Sequence, residues 1–203
     1  MRIASFFAPF AAVLLLSPPV FGQAPGAAAP AFTLTDTSGK TVQLSDYKGK
    51  YVVLEWTNPE CPFVRKHYNS GNMQDLQKQW GARDVVWLSI NSTNSANSEF
   101  KTPAQMAQWL EGKGASPKAA LIDGTSATGR TYGARTTPHM FVINPAGTVI
   151  YNGAIDDRRT TNLADAKLAH NYVRAALTEA MDGRPVTVAT TSPYGCSVKY
   201  GSL

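Results

Sequence analysis

The stretch that most constrains this chain is Tyr51-Val52-Val53-Leu54-Glu55-Trp56, which empties into a polar loop and then into Cys61-Pro62. A mainly apolar run of β-branched and aromatic residues reads as a central strand. Thr57-Asn58-Pro59-Glu60 is the loop. Pro62 suits the first turn of a helix, where the N–H it lacks would have no partner anyway. A cysteine therefore stands where a buried strand gives way to a helix.

The rest of the chain keeps alternating. Ala31-Phe32-Thr33-Leu34 and Thr41-Val42-Gln43-Leu44 flank a polar turn containing Ser38-Gly39 and read as an N-terminal hairpin. Beyond Cys61, the residues His67, Met73, Leu76 and Trp80 share a helical face that Ser70-Gly71 weakens in the middle. Asp84 to Ile90 reads as a second buried strand, and the polar run Asn91 to Glu99 as a surface loop. Thr102-Pro103-Ala104-Gln105 has the cap, proline and glutamine of a helix start. Ala119 to Ile122 is a short strand and Ser126 to Tyr132 a small helix. His139 to Ile143 is a strand directly after Pro138, and it turns through Asn144-Pro145-Ala146-Gly147 into its partner Thr148 to Tyr151. Leu163 to Met181 reads as one long helix, with Leu168, Tyr172, Val173, Ala176 and Leu177 on one side and Gly183 as its stop. The tail from Arg184 onward lacks periodicity and carries Cys196. This order predicts a single α/β domain, a mixed sheet with helices against it, rather than a barrel or a two-domain enzyme.

Met1-Arg2, the apolar run Ile3 to Leu16, Ser17-Pro18-Pro19 and the small residues through Ala24 read as a secretory signal peptide. It is too short and too broken for a membrane span, and no second apolar run approaches spanning length. The expected plan is a signal peptide over 1–24, a domain over 25–182 and a tail over 183–203, with export to the periplasm or beyond. A formal charge of +5, scattered rather than massed, argues against a nucleic-acid partner.

Two cysteines, Cys61 and Cys196, enter a compartment where disulfides form. A bridge between them would constrain the unfolded chain by about 5 kcal/mol, so structural and catalytic readings both stand. At the opening of a helix, unpaired backbone N–H groups and the positive helix end favour a thiolate, and Arg65 and Lys66 would add to this if they turned back toward the sulfur. His67 falls off the cysteine's side of the helix and reads as a packed histidine. His67, His139, His170 and the two cysteines form no pair with metal-site spacing, so no metal is expected. No dinucleotide, phosphate-loop or haem motif appears, and no bound cofactor is expected.

The ordered series Ala31-Phe32-Thr33-Leu34, Gly39-Lys40-Thr41-Val42, Leu44 to Lys50, Val52 to Trp56, Cys61, Tyr132-Gly133-Ala134, Thr137-Pro138, Phe141-Val142-Ile143 and Ile150 to Gly153 resembles the peroxiredoxin-like redoxins (AhpC/TSA type) of the thioredoxin superfamily. The resemblance implies a thioredoxin-like fold, a central mixed sheet flanked by helices. It also implies that Cys61 is the nucleophile, that Pro138 is the active-site cis-proline, and that Thr137 lies beside the cysteine, where its backbone can pair with an extended substrate chain.

The departures from the family pattern are specific. Val64 stands where a thioredoxin has its second cysteine, and Asn58 where a peroxiredoxin has its peroxide-polarising hydroxyl, with Thr57 next to it. Arg135 lies in the sequence region of the peroxiredoxin arginine. By the same resemblance Cys196 takes the part of a C-terminal resolving cysteine, carried on a tail that swings toward Cys61 of its own or a partner subunit.

Three readings follow. The first is an antioxidant thiol peroxidase that meets a peroxide and is recharged by an external dithiol, with a homodimer allowed. The second is a thiol–disulfide oxidoreductase acting on exported proteins. The third is a non-enzymatic module of the same fold with a structural disulfide.

Overall fold

The computed structural model describes residues 23–201. The signal peptide expected over 1–24 lies almost wholly outside the described residues. In chain order the elements are β1 (Thr33–Asp36), β2 (Thr41–Gln43), a 3-10 turn (Leu44–Tyr47), β3 (Val52–Trp56), α1 (Pro62–Asn69), α2 (Asn72–Gly81), β4 (Val86–Asn91), α3 (Pro103–Gly112), β5 (Ala119–Ile122) and α4 (Ala127–Tyr132). Then come β6 (Thr136–Thr137), β7 (His139–Ile143), β8 (Val149–Gly153), α5 (Leu163–Leu168), α6 (Tyr172–Met181) and β9 (Cys196–Ser197).

Among the described residues seven strands form one mixed sheet in the order β2-β1-β5-β4-β3-β7-β8. The strands β3, β4 and β5 run parallel, while β1 joins β5, and β7 joins β3, in the antiparallel sense. Every residue of β3 is buried, because the strand is covered on both faces, which is why it reads as a nearly unbroken apolar run. Val52, Leu54 and Trp56 pack with Phe32, Tyr132 and Phe141 on one face. Val53 packs with Val64, Met73, Trp80 and Leu177 from α1, α2 and α6 on the other. The thioredoxin-like α/β architecture with its N-terminal hairpin is the one expected.

Four local expectations are revised. The helical stretch after Cys61 is two helices: Gly71 adopts φ +80 between them, a conformation that suits glycine, so α2 restarts at Asn72. The stretch 163–181 is also two helices rather than one. The Asn171 side chain accepts from the Arg174 N–H at 2.8 Å and caps α6, while Tyr172 N donates to Ile155 O at 3.0 Å. A second cap of this kind ends one helix and starts another. Leu168, placed on the buried side by helical periodicity, is 71% exposed.

The run after β4 is not a surface loop throughout, since Asn91, Ser92 and Thr93 are buried. Ser92 Oγ accepts from Trp56 Nε1 at 3.0 Å and donates to Asp123 at 2.6 Å. Buried polar groups of this kind persist because they are paired. The fourth revision concerns the tail, which does not swing freely. Asn152 N donates to Ala189 O, Asn94 N to Lys199 O and Val198 N to Arg135 O, and β9 pairs antiparallel with β6.

Candidate active site

Cys61 is the N-cap residue of α1, held in an extended conformation, with Pro62 in the first turn as expected. Its own N–H donates to Asn58 O at 3.1 Å, and its carbonyl accepts from Arg65 N at 2.9 Å. The loop that carries it is fixed in turn by Asn58, whose side chain accepts from Glu60 N at 2.8 Å and donates to Glu99 at 2.8 Å. The sulfur lies under the surface, 1% exposed, and its S–H donates to Thr137 O at 2.9 Å. The Thr137-Pro138 peptide bond is cis.

Strand β6 is thus the second wall of the site, and β9 is the third. In the β6–β9 pair Thr137 is the register partner of Cys196. The Cys196 thiol lies beside Cys61, and burial first, with that neighbour second, pushes it up to about 12. Such a thiol keeps its proton at neutral pH. Gly195 is what lets the tail come so close: a Cβ there would lie 2.0 Å from Thr137 O, and the residue's φ is +137. The structure therefore brings together Cys61, Thr137, Pro138 and Cys196, residues far apart in the chain.

Other expected contributors lie elsewhere. Arg65 donates to Pro59 O at 2.7 Å and pairs with Glu60, so its charge goes to the loop rather than to the sulfur. Lys66 turns into the interior, where its ammonium meets Arg158 O at 2.7 Å, Tyr194 OH at 3.1 Å and Asp156 at 3.4 Å. His67 is packed, as expected, between Tyr194 OH at 3.3 Å and Asn72 at 2.9 Å. Burial, with Lys66 adding to it, takes its pKa down to about 3. Among the described residues no group of three or more His, Cys, Asp or Glu could hold a metal ion.

The sequence reading missed Tyr194 and Asp156. Tyr194 OH donates to the Asp156 carboxylate, and both are buried. Asp156, raised chiefly by its burial, and Lys66, lowered chiefly by its burial, share this pocket with His67. The available signal was weak: an aromatic two residues before the tail cysteine, and a Lys-His pair on a helix whose neighbours Val64 and Tyr68 are core residues. An apolar cavity of about 290 Å³, lined by Ala29, Leu44, Tyr47, Val52, Ile143 and Pro145, lies at the start of β3, away from Cys61 beyond its end.

The AhpC/TSA family matches residues 25–152. The chain belongs to the AhpC/TSA family. It is an oxidoreductase of the redoxin class. The thiol-disulfide oxidoreductase ResA of Bacillus subtilis is 28% identical over 155 residues, 73% of each protein. An uncharacterised conserved protein of Geobacillus kaustophilus is 28% identical with a TM-score of 0.78, over 88% of this chain and 93% of that one. The peroxidoxin BcpB of Mycobacterium tuberculosis is 19% identical with a TM-score of 0.51, over 63% of this chain and 83% of the other. At that identity the last shares the fold.

Proposed function

We propose that the protein is a two-cysteine redoxin in which Cys61 is the nucleophile and Cys196 the resolving thiol, with a small hydroperoxide as the oxidant. The observation that carries this is the meeting of the two thiols at the N-terminus of α1, one held by the helix and the other by β9. A pair fixed in this way converts the second step of the reaction from a bimolecular to an intramolecular one.

The Cys61 thiolate attacks the terminal oxygen of the hydroperoxide. The O–O bond breaks, Cys61 becomes a sulfenic acid, and the departing alkoxide or hydroxide takes a proton to leave as alcohol or water. The Cys196 sulfur, giving up its proton, then attacks the sulfenic sulfur. A Cys61–Cys196 disulfide forms and water leaves. An external dithiol returns both residues to thiols in two exchange steps.

Two features favour a small oxidant. The backbone edge of Thr137, where an extended protein substrate would pair, is taken by the chain's own Cys196. Next to it the Thr137 hydroxyl is buried without a protein partner, a donor that the oxygen of a peroxide can use in place of the hydroxyl missing at Asn58. With Cys61 1% exposed, an oxidant enters when the two-residue β9 lifts.

A second reading, exchange with protein disulfides, is favoured by the Thr137-cis-Pro138 edge itself and by the similarity to ResA. Under either reading we propose an exported compartment, which is supported by the leader-like sequence of residues 1–24 ahead of a domain over 25–182 and a tail over 183–203.

Steady-state peroxide consumption driven by dithiothreitol tests the proposal. The wild type turns over hydrogen peroxide and the Cys61→Ser variant does not. Equal background rates for the two, together with reduction of a protein disulfide by the wild type, would transfer the case to the second reading.

A further inference from the structure

Residues 194–196 pass from the buried side of α1 to the Cys61 sulfur within three positions, and the first of them is anchored in a way that no surface tail requires. Tyr194 is 7% exposed. Its hydroxyl donates to Asp156, accepts from Lys66 Nζ at 3.1 Å and lies 3.3 Å from His67 Nε2. Its ring meets Phe63 edge-on at 5.7 Å, and the Lys66 ammonium lies 5.3 Å from its centroid. Phe63, Lys66 and His67 all belong to α1, the helix that Cys61 caps. One helix therefore holds the nucleophile at its end and, through Tyr194, the strand that carries the second thiol. Gly195 then presses on Thr137 O and Cys196 pairs with Thr137.

We propose that Tyr194 is the positioning residue of the thiol pair: latched into the Lys66–His67–Asp156 cluster, it keeps β9 on Thr136–Thr137 and so keeps the Cys196 thiol at the Cys61 thiol. The hydroxyl matters more than the ring. The ring alone would pack against Phe63 in many orientations, whereas the hydrogen bond to a buried carboxylate fixes one. A two-residue strand supplies too few ladder bonds to hold itself against fraying. Downstream, Tyr200 OH donates to Ala134 O at 2.6 Å and the Arg130 guanidinium lies 4.8 Å from the Tyr200 ring centroid. The strand is thus pinned on both sides of Cys196, with the charged pin at Tyr194. When the latch opens, the Thr137 edge is free for another extended chain.

This inference rests on the reading of Cys61 and Cys196 as the working pair, and its test does not need the natural oxidant. The reduced protein is equilibrated in glutathione redox buffers, and the Cys61–Cys196 disulfide is quantified by alkylation and mass spectrometry. The reaction is Cys61-SH plus Cys196-SH plus oxidised glutathione, giving the protein disulfide and two reduced glutathiones. The equilibrium constant is the effective concentration of one thiol at the other.

Tyr194→Phe, which keeps the ring, is expected to lower that concentration about tenfold, the size of one hydrogen bond to a charged group. Thermal melts run beside it, because a residue that only packs would lower the melting temperature and leave the thiol equilibrium where it was. An unchanged equilibrium in Tyr194→Phe overturns the latch and leaves the pair intact. A wild type that forms no Cys61–Cys196 disulfide in these buffers overturns the pair and the latch together. If Tyr194→Phe does not fold, amide hydrogen exchange of the reduced wild type decides: protection at Gly195 to Val198 is expected, and exchange at the rate of a free peptide refutes the latch.

Discussion

Lowering the pH from 7 to 5 should destabilise this protein, and His139 should account for a definable part of the loss. His139 opens β7 and is 2% exposed. Its Nδ1 accepts the Arg135 N–H at 3.1 Å, and its Nε2 lies 2.7 Å from Asn152 Oδ1, an acceptor. The network therefore assigns the proton to Nε2 of a neutral ring. A second proton, on Nδ1, would face an N–H donor. Burial, offset in part by the Asn152 bond and reinforced by Arg135, lowers the pKa to about 4, against about 6.5 in the unfolded chain.

As the pH falls below about 6.5, the unfolded chain takes up a proton that the folded ring refuses. Stability is complete above that pH and is lost as the pH falls toward about 4, where the folded ring protonates too. At pH 5 the loss amounts to about 2 kcal/mol. His67, lowered to about 3, adds a loss of the same sign. Glu55 and Asp156, raised by burial, act in the opposite sense, because the folded state holds their protons longer. The comparison of wild type with His139→Gln removes these shared contributions. Urea unfolding of the reduced protein at pH 5, 6, 7 and 8 should find the variant weaker at pH 7, with a decline to pH 5 smaller by about 2 kcal/mol. Parallel curves for the two proteins would refute the assignment.

Three further substitutions test separate contacts. Lys66→Met leaves the Asp156 carboxylate buried without its cation and should cost about 3–5 kcal/mol in denaturant unfolding; adding Asp156→Asn should recover part of that loss, and no recovery would show that the cost comes from packing. Gly195→Ala drives a Cβ into Thr137 O, so β9 should lift and Cys196 should be alkylated by iodoacetamide severalfold faster than in the wild type; an unchanged rate would mean that the close approach is not maintained in solution. Thr102→Ala removes the reciprocal cap of α3, in which Thr102 Oγ1 accepts from Gln105 N at 3.3 Å and Gln105 Oε1 accepts from Thr102 N at 2.9 Å. That change should cost about 1 kcal/mol in thermal unfolding, with no change marking a frayed helix end.

What was legible in the sequence, and what was not, divides along the range of the interactions. Strands β3, β4 and β7 were visible because each is buried along its whole length, and a doubly covered strand must be almost wholly apolar. The Thr102 cap and the Pro62 opening were visible because capping is local chemistry. Cys61 could be placed for the same reason, since strand, loop and helix start all lie within a dozen residues.

The break at His170-Asn171 was hidden because its cause is distant: Ile155 and Asp157 take backbone bonds that a continuous helix would have used itself. The buried state of Ser92 depends likewise on Trp56 and Asp123, which no local pattern connects to it. The tail read as free because β9 is two residues long and its anchors, Asp156, Arg135 and Asn94, lie elsewhere in the chain. The family resemblance supplied Pro138 and the part assigned to Cys196, but not the latch. Tyr194 matters only because Lys66, His67 and Asp156 converge on it in three dimensions.

Quenched-flow mass spectrometry tests the pairing of Cys61 with Cys196 most directly. The reduced protein, produced from residue 25 onward, is mixed with one equivalent of hydrogen peroxide, quenched by alkylation at intervals and mapped under non-reducing conditions. The account predicts a sulfenic acid on Cys61 that gives way to a Cys61–Cys196 disulfide within the same chain, with the Cys196→Ser variant stopping at the sulfenic acid or passing to the sulfinic acid. Oxidation that leaves Cys196 as a free thiol while Cys61 accumulates as higher oxides in the wild type would contradict it.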